Sequence, residues 1–278
     1  MRIGGPILKK YNSPEEWIKL VKGLQYGAVY APMHYDDPQD LVSAYLEEAK
    51  KANVVIAEVG AWSNPISRGE KERKEALNLC KRQLDLADRI GANCCVNITG
   101  STGEIWDGFY KDNYSEDTYA LIVDTVRDII DAVKPKNTFY TLEPMPWMVP
   151  DSPDTYLQLL TDVDRKAFGV HLDVVNMINN PYKYLFNREF IQECFQKLGP
   201  YIKSCHAKDV IMSNQFTTMI KEAAPGKGTL DYLMFLQQVE ALNPDMPVML
   251  EHLETQKEYT EAFNYVKGTA DANNIVLR

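Results

Sequence analysis

The feature that most constrains the fold is an alternation of short apolar runs with helical patterns, repeated about eight times along the chain. The apolar runs lie at residues 2–8, 27–32, 53–59, 93–98, 138–143, 168–173, 202–206 and 247–252. Most intervening segments carry apolar residues at i, i+3, i+4 and i+7, the period of an amphipathic helix: 41–52, 73–90, 118–133, 155–163, 189–199 and 232–242. This alternation predicts a parallel sheet with crossover helices.

Helix-start signals follow three of the strand candidates. Ser13-Pro14, Asp37-Pro38 and Ser152-Pro153 each place a capping side chain before a proline suited to the first helical turn. Eight strand–helix units in 278 residues without an obvious linker predict a single (β/α)8 TIM barrel spanning residues 1–278. The structural alternative is a doubly wound open sheet, but GGP at residues 4–6 does not supply the GxGxxG turn usual after its first strand.

The composition of the chain limits the classes of partner that we expect it to bind. Apolar residues make up 45% of the chain, and 30 basic against 39 acidic residues leave a net charge of −9, which disfavours nucleic acid and anionic membrane surfaces. No apolar run approaches the ~18 residues of a membrane span, and the first ten residues lack the apolar stretch of a signal peptide. Five cysteines without CxxC spacing suit reduced core thiols. We therefore expect a cytoplasmic protein.

Four acidic or histidine side chains close four apolar runs in the second half of the chain: Glu143, Asp173, His206 and Glu251. Any one of them alone would most often be a helix cap or an ion-pair partner. The carboxyl ends of barrel strands meet on one face, however, so four such residues at successive ends predict a metal site. Three oxygen ligands and one nitrogen ligand suit one divalent ion, with Mn²⁺ preferred and Mg²⁺, Co²⁺ or Zn²⁺ as alternatives.

Strand parity adds candidates around this site. His171 shares the inward face with Asp173, Lys208 with His206, and Trp147 with Glu143, because alternate residues of a strand point the same way. We expect Trp147 to form an apolar wall for substrate. Lys208 would either neutralise developing charge or pair with a neighbouring carboxylate.

Loop residues complete the predicted site. His34 follows the second strand and Trp62 the third, so both are candidates for substrate contact; the alternatives are a loop cap for His34 and loop packing for Trp62. His252 has the opposite parity to Glu251, which predicts packing behind the barrel. Gly226-Lys227-Gly228 predicts a turn after the seventh strand, and its lysine is only a weak hint of a phosphate group.

Several motifs give the chain a family resemblance over essentially its whole length: TLEPMPW (141–147), GVHLDVVN (169–176), CHAKD (205–209), PGKGTLDY (225–232) and VMLEH (248–252). With these motifs the sequence resembles the sugar phosphate isomerase/epimerase family, the xylose isomerase-like TIM barrels. The resemblance implies metal ligands at Glu143, Asp173, His206 and Glu251, and a substrate-contacting histidine at His171. The chain departs from the ketose 3-epimerases, which carry a Glu at the position of Val149 and often an Arg at that of Met212.

The resulting hypothesis is a divalent-metal-dependent sugar isomerase or epimerase that moves a proton next to a carbonyl through an enediolate. Glu143 and Glu251 would remove and return the proton, with His171 as a leaving-group acid or hydroxyl anchor. The nearest alternative is a metal-dependent lyase or C-glycoside deglycosidase on a keto-sugar. A non-catalytic sugar-binding barrel and an endonuclease IV-like repair enzyme are the less favoured alternatives. The expected partner is a small sugar or sugar derivative, with homo-oligomer or hetero-complex formation open.

Overall fold

The computed structural model describes all residues, 1–278, and its eight parallel strands close into a barrel. The barrel strands are β1 (Arg2–Gly5), β2 (Ala28–Tyr30), β3 (Val55–Gly60), β4 (Cys94–Asn97), β5 (Tyr140–Leu142), β6 (Phe168–Leu172), β7 (Ile202–Ala207) and β10 (Pro247–Leu250). Neighbours in chain order pair in parallel, and β10 pairs with both β7 and β1. The predicted (β/α)8 barrel is confirmed, and the open-sheet alternative is excluded because the sheet is closed.

Helices occupy the connections between the strands. The longer ones are α1 (Pro14–Gly23), α2 (Gln39–Lys51), α3 (Glu70–Ile90), α4 (Glu116–Val133), α5 (Pro153–Val163), α8 (Asn187–Leu198), α9 (Tyr232–Leu242) and α10 (Gln256–Ala272). Two short helices, α6 (Val174–Met177) and α7 (Pro181–Leu185), follow β6. Apolar helix faces pack on the barrel in one core cluster of 64 buried residues. None of the helices combines the length and the apolarity needed to cross a membrane.

Two of the three predicted helix caps form as expected. The hydroxyls of Ser13 and Ser152 accept hydrogen bonds from the backbone N–H groups of Glu16 and Thr155, at 3.3 and 3.2 Å. The third prediction is wrong. Helix α2 begins at Gln39 without a side-chain cap, because the Asp37 carboxylate instead accepts the backbone N–H of His34 at 2.8 Å.

A hairpin that the apolar runs did not predict follows β7. Its strands, β8 (Asp209–Ser213) and β9 (Met219–Ala223), pair in antiparallel fashion outside the barrel. The pattern of β9 gave no signal because all five of its residues are exposed or half-buried. This hairpin matters for the site because β9 borders the pocket described below.

The glycine turn after the hairpin is anchored on one buried carboxylate. Asp209 accepts the backbone N–H groups of Val210, Gly226, Gly228 and Leu230 at 2.8 to 3.0 Å. A Cβ at Gly228 would lie 2.3 Å from Asp209 Oδ1, so only glycine allows this approach. The motif that predicted a turn therefore shapes the loop around Asp209. The five cysteines, also predicted as core thiols, are all buried and free.

Candidate functional site

The four predicted ligand residues meet at the carboxyl end of the barrel. Glu143, Asp173 and Glu251 directly follow β5, β6 and β10, while His206 is the penultimate residue of β7. One ligand atom from each lies within 4.8 Å of the others. His206 Nδ1 is 2.8 Å from Glu251 Oε1, 3.2 Å from Glu143 Oε1 and 3.8 Å from Asp173 Oδ2. Parallel strands in register produce this convergence.

The donor atoms of this quartet fit a divalent cation. Asp173 Oδ2 and Glu251 Oε1 are buried without accepting any hydrogen bond of good geometry. Buried carboxylates are costly unless positive charge compensates them, and a divalent cation is one group that supplies such charge. Carboxylates with one imidazole are ligands of hard or borderline metals. The cluster could therefore hold a metal ion, whose identity the donor set leaves open.

Lys208 supplies a positive charge inside the same cluster. Its Nζ lies 2.6 Å from Glu251 Oε1, 2.9 Å from Asp173 Oδ2 and 3.3 Å from Glu222 Oε2, and the side chain is only 2% exposed. Burial would lower the pKa of the lysine, but the carboxylates, Asp173 first, raise that pKa well above its usual value. Of the two roles predicted for Lys208, pairing with carboxylates is the contact observed.

The same opposite charges keep the acids ionised. Burial would raise the pKa of Glu251, yet His206 and Lys208 lower it to about 2. Burial likewise opposes ionisation of Asp173, and Lys208 and His206 hold its pKa below the usual range. For His206, burial lowers the pKa, but Glu251 and Glu143 raise it well above the ordinary value.

Asn176 orients two members of the quartet. Its amide Nδ2 donates to Glu143 Oε1 at 3.0 Å, and its backbone N–H donates to Asp173 Oδ1 at 2.9 Å, where Asp173 caps α6. Asp173 is thus a helix cap and a cluster member at once, because its two oxygens face different partners. Lys208 Nζ donates to Asn176 Oδ1 at 3.2 Å, so Asn176 also contacts the lysine of the cluster.

Glu58 is a site residue that the sequence reasoning missed. It lies within β3, fully buried, and its Oε1 is 3.0 Å from His171 Nε2 and accepts the Ser204 hydroxyl. Burial would raise the pKa of Glu58, but His171 and His206 lower it below the usual range. The available signal was a charged residue standing alone in the apolar run VVIAEVG.

His171 points into the barrel interior beneath the quartet. Its ring is fully buried, is edge-on to the ring of His206 with centroids 4.1 Å apart, and is not part of the pocket lining. The role of substrate contact stays a prediction for His171; in this structure its partner is Glu58.

A cavity of about 880 Å³ opens onto the cluster and is lined by both Glu143 and Glu251. Three of the four tryptophans of the chain, Trp62, Trp106 and Trp147, border this cavity. Trp147 is anchored by donation from its indole Nε1 to the carbonyl of Asp107 at 2.8 Å. The structure thus brings the predicted Trp62 and Trp147 to one pocket and adds Trp106, which was not predicted.

Of the two remaining histidines, His34 has the loop role left open for it and His252 lies elsewhere than predicted. His34 is exposed, packs on Tyr35, and does not border the pocket. His252 was predicted behind the barrel but borders the pocket, with Nδ1 3.0 Å from Glu222 Oε2 on β9. The prediction was wrong because β10 ends at Leu250 and His252 has a φ of 56°, so strand parity no longer applies.

Comparison with known proteins agrees with this geometry. Residues 18–269 match the family described as xylose isomerase-like TIM barrel. The chain belongs to this family. A search of curated proteins gives no match for this xylose isomerase-like barrel.

Solved structures share the fold of this xylose isomerase-like barrel at low sequence identity. A D-tagatose 3-epimerase-like protein is 19% identical, with TM-score 0.73 and coverage of 99% of this chain and 98% of that one. The probable 3-DHS dehydratase AsbF from Bacillus anthracis is 16% identical, with TM-score 0.71 and coverage of 96% and 98%. A xylose isomerase-like TIM barrel protein from Mycobacterium smegmatis in complex with magnesium is 15% identical, with TM-score 0.69 and coverage of 98% and 97%.

Proposed function

We propose that this protein is a divalent-metal-dependent isomerase or epimerase of a sugar or sugar derivative, acting by proton transfer next to a carbonyl through an enediolate. The observation that carries the proposal is the quartet of Glu143, Asp173, His206 and Glu251, three of them buried and two of whose carboxylates border an open cavity. Charged side chains with shifted pKa values that border a pocket are the features by which a functional site is recognised.

The quartet would hold the metal ion, which when bound supplies Lewis acidity toward the oxygens of a keto-sugar. The complex of a similar barrel with magnesium supports the proposal of a divalent ion for this chain. The ligand chemistry leaves Mn²⁺ as our first choice and Mg²⁺, Co²⁺ or Zn²⁺ as alternatives.

Glu143 and Glu251 are the proposed acid–base pair. Strands β6 and β7 lie between the strands that carry them, so the two carboxylates approach the cavity from different sides. One, as the carboxylate, removes the proton from the carbon beside the carbonyl, and the other returns a proton that it has taken up from solvent. Return to the neighbouring carbon is isomerisation, and return to the opposite face is epimerisation. The D-tagatose 3-epimerase-like neighbour supports this reaction class.

The tryptophan walls favour a substrate with an apolar face. Trp62, Trp106 and Trp147 offer flat surfaces on which the C–H face of a sugar ring or an aromatic substituent packs. The cavity volume of about 880 Å³ is within the range that accommodates a molecule larger than one sugar ring.

A metal-dependent lyase is the second candidate, and one feature favours it. Pro146 and Trp147 make the wall beside Glu143 apolar, and a dehydratase is among the similar folds. In that reaction the proton is removed in the same way, and a substituent on the next carbon leaves instead of a proton returning. Val149 and Met212, in place of the Glu and Arg of ketose 3-epimerases, weigh against 3-epimerisation in particular.

The remaining alternatives have less support. An endonuclease IV-like site with several zinc ions needs many histidines, whereas only His171 and His206 are buried and the net charge is −9. A non-catalytic sugar-binding barrel would keep the pocket but has no need of ionised acids at its floor.

The test begins with metal content. The purified protein is loaded with Mn²⁺, desalted and examined by elemental mass spectrometry, with Asp173→Ala as the site variant and Asp40→Ala, an exposed aspartate of α2, as the matched control. We expect about one ion per chain in the wild type and the control, and none in Asp173→Ala.

The loaded protein is then incubated in D₂O with ketohexoses and with 3-keto or aryl C-glycosides. Deuterium in a rearranged sugar supports the isomerase or epimerase, and release of a substituent supports the lyase. Metal binding without deuterium exchange on any substrate would favour the sugar-binding barrel, and no bound metal would overturn the proposal.

A further inference from the structure

A second buried network lies beneath the proposed metal ligands. Glu58, His171, Ser204 and His206 are all buried, and Glu58 is the acid at its centre. Glu58 Oε1 interacts with His171 Nε2 at 3.0 Å and with the Ser204 hydroxyl. These two contacts leave the other oxygen, Oε2, directed at His206, whose Nε2 is 3.4 Å away.

Glu58 Oε2 and His206 Nε2 are both buried polar atoms without a hydrogen-bond partner. Two such atoms left unpaired in the same place would each cost free energy. Since they lie 3.4 Å apart, a small rotation of either side chain joins them in a hydrogen bond. The pairing requires that Nε2 carry a proton.

The opposite ring nitrogen of His206 faces a different environment. Nδ1 lies among the carboxylates of Glu143, Asp173 and Glu251, at 2.8 to 3.8 Å. When a cation takes the place of the proton on Nδ1, the neutral imidazole keeps its one N–H on Nε2 and uses the Nδ1 lone pair for the cation. The contact with Glu58 therefore decides which nitrogen can bind a cation.

We propose that Glu58 is a positioning residue that holds His206 as the Nε2–H tautomer, with the Nδ1 lone pair directed at the metal ion. The inference rests on the proposed function, because it assumes that the quartet binds a cation. Glu58 acts through His206, and the contacts of Ser204 and His171 with Oε1 keep the carboxylate in place. A carboxylate behind a metal-binding histidine fixes the ring orientation and raises its basicity.

The tautomer can be read directly in the protein. Nitrogen-15 labelling of the four histidines and NMR of the Zn²⁺-loaded chain, which is diamagnetic, report which His206 nitrogen carries hydrogen. We expect a proton on Nε2 and a metal-shifted, unprotonated Nδ1. A proton on Nδ1 with metal at Nε2 would overturn the proposal without any variant having to fold.

Affinity provides the second measurement. We expect Glu58→Gln, which keeps the size of the side chain but loses its charge, to bind Mn²⁺ about 10- to 100-fold more weakly, the usual effect of losing such a partner. Glu72→Gln is the matched control: Glu72 is exposed and bonds Ser67 outside the barrel, so its loss should leave the affinity unchanged. Ser204→Ala, which removes one anchor of Glu58, should give a smaller loss.

Melting curves with chelator and with Mn²⁺ separate positioning from a merely structural role. If Glu58 positions His206, the Glu58→Gln variant shows a smaller rise in Tm on addition of Mn²⁺ than the wild type. If Glu58 is only structural, the variant has a Tm lowered equally with chelator and with Mn²⁺, and that result would overturn the proposal. Equal affinity of Glu58→Gln and wild type would overturn the assignment of Glu58 alone. Failure of the wild type to bind any of the ions would overturn the proposed function together with it.

Discussion

Lys208 and Asp173 form an ion pair inside the carboxyl end of the barrel, with Nζ and Oδ2 2.9 Å apart and neither side chain more than 2% exposed. Removing one member of a buried pair leaves the other charge uncompensated. The ammonium therefore stabilises a group of acids that would otherwise repel one another, and it does so at the place proposed for the metal ion.

Replacing Lys208 with methionine tests this balance of charge. We expect Lys208→Met to lower the free energy of unfolding of the metal-free protein by about 3–5 kcal/mol, the usual cost of breaking a buried pair. Mn²⁺ should recover more stability in this variant than in the wild type. Denaturant unfolding with chelator and with Mn²⁺ measures both effects, and Lys71→Met, whose partner contact is on the surface, is the control. An equal loss of unfolding free energy with chelator and with Mn²⁺ would contradict the expectation.

The depressed pKa values of Glu251 and Asp173 predict an acid-sensitive fold. Glu251 has a folded pKa of about 2, below the ordinary unfolded value of about 4.3 for glutamate. The unfolded chain therefore takes up protons first as the pH falls, so this stabilisation is nearly complete above about pH 5 and is lost progressively toward about pH 2. Unfolding by denaturant in chelator at several pH values measures the slope. Lys208→Met removes one of the charges that lower the pKa values of Glu251 and Asp173, so its free energy of unfolding should decline less steeply between pH 5 and 3.

Glu251→Gln should lose proton transfer while keeping the fold. The amide cannot accept the substrate proton, so we expect turnover and solvent deuterium exchange to fall by about 10²- to 10⁴-fold, the range for loss of a general base or acid. Metal content measured on the same sample distinguishes loss of the base from loss of the ion. Glu261→Gln on the exposed face of α10 is the matched control. Full turnover in Glu251→Gln would exclude the two-glutamate scheme.

Asp209→Asn should loosen the loop after the hairpin without touching the quartet. Four backbone N–H groups point at this carboxylate, and an amide nitrogen placed among them can accept none. We expect a loss of about 2–3 kcal/mol in unfolding free energy, given the strength of hydrogen bonds to charged groups. Hydrogen exchange at Gly226 and Gly228 should accelerate first. Unchanged exchange there would show that other contacts hold the loop.

Much of the candidate site could be predicted because its residues end strands. The positions of Glu143, Asp173, His206 and Glu251 follow from apolar runs that stop at a polar residue, and parallel strands bring such ends together. His252 lies only one residue further, yet its prediction failed, because its positive φ is set by the loop and not by the strand.

Glu58 shows a different limit. Its partners His171 and Ser204 are 113 and 146 residues away along the chain, so no local pattern connects them. The hairpin β8–β9 was also missed. Strand β9 is largely solvent-exposed, so its sequence lacks the alternation of apolar and polar residues by which a half-buried strand is predicted.

The sequence by itself determined the barrel and the set of side chains delivered to its carboxyl end, because hydrophobic periodicity is a local property that each strand and helix carries alone. Only the tertiary structure decided which charges face one another: Lys208 among the acids, Glu58 beneath His206, and His252 against Glu222 on the hairpin. These contacts depend on barrel closure and loop conformation, which join groups far apart in the chain and compensate the cost of burying them.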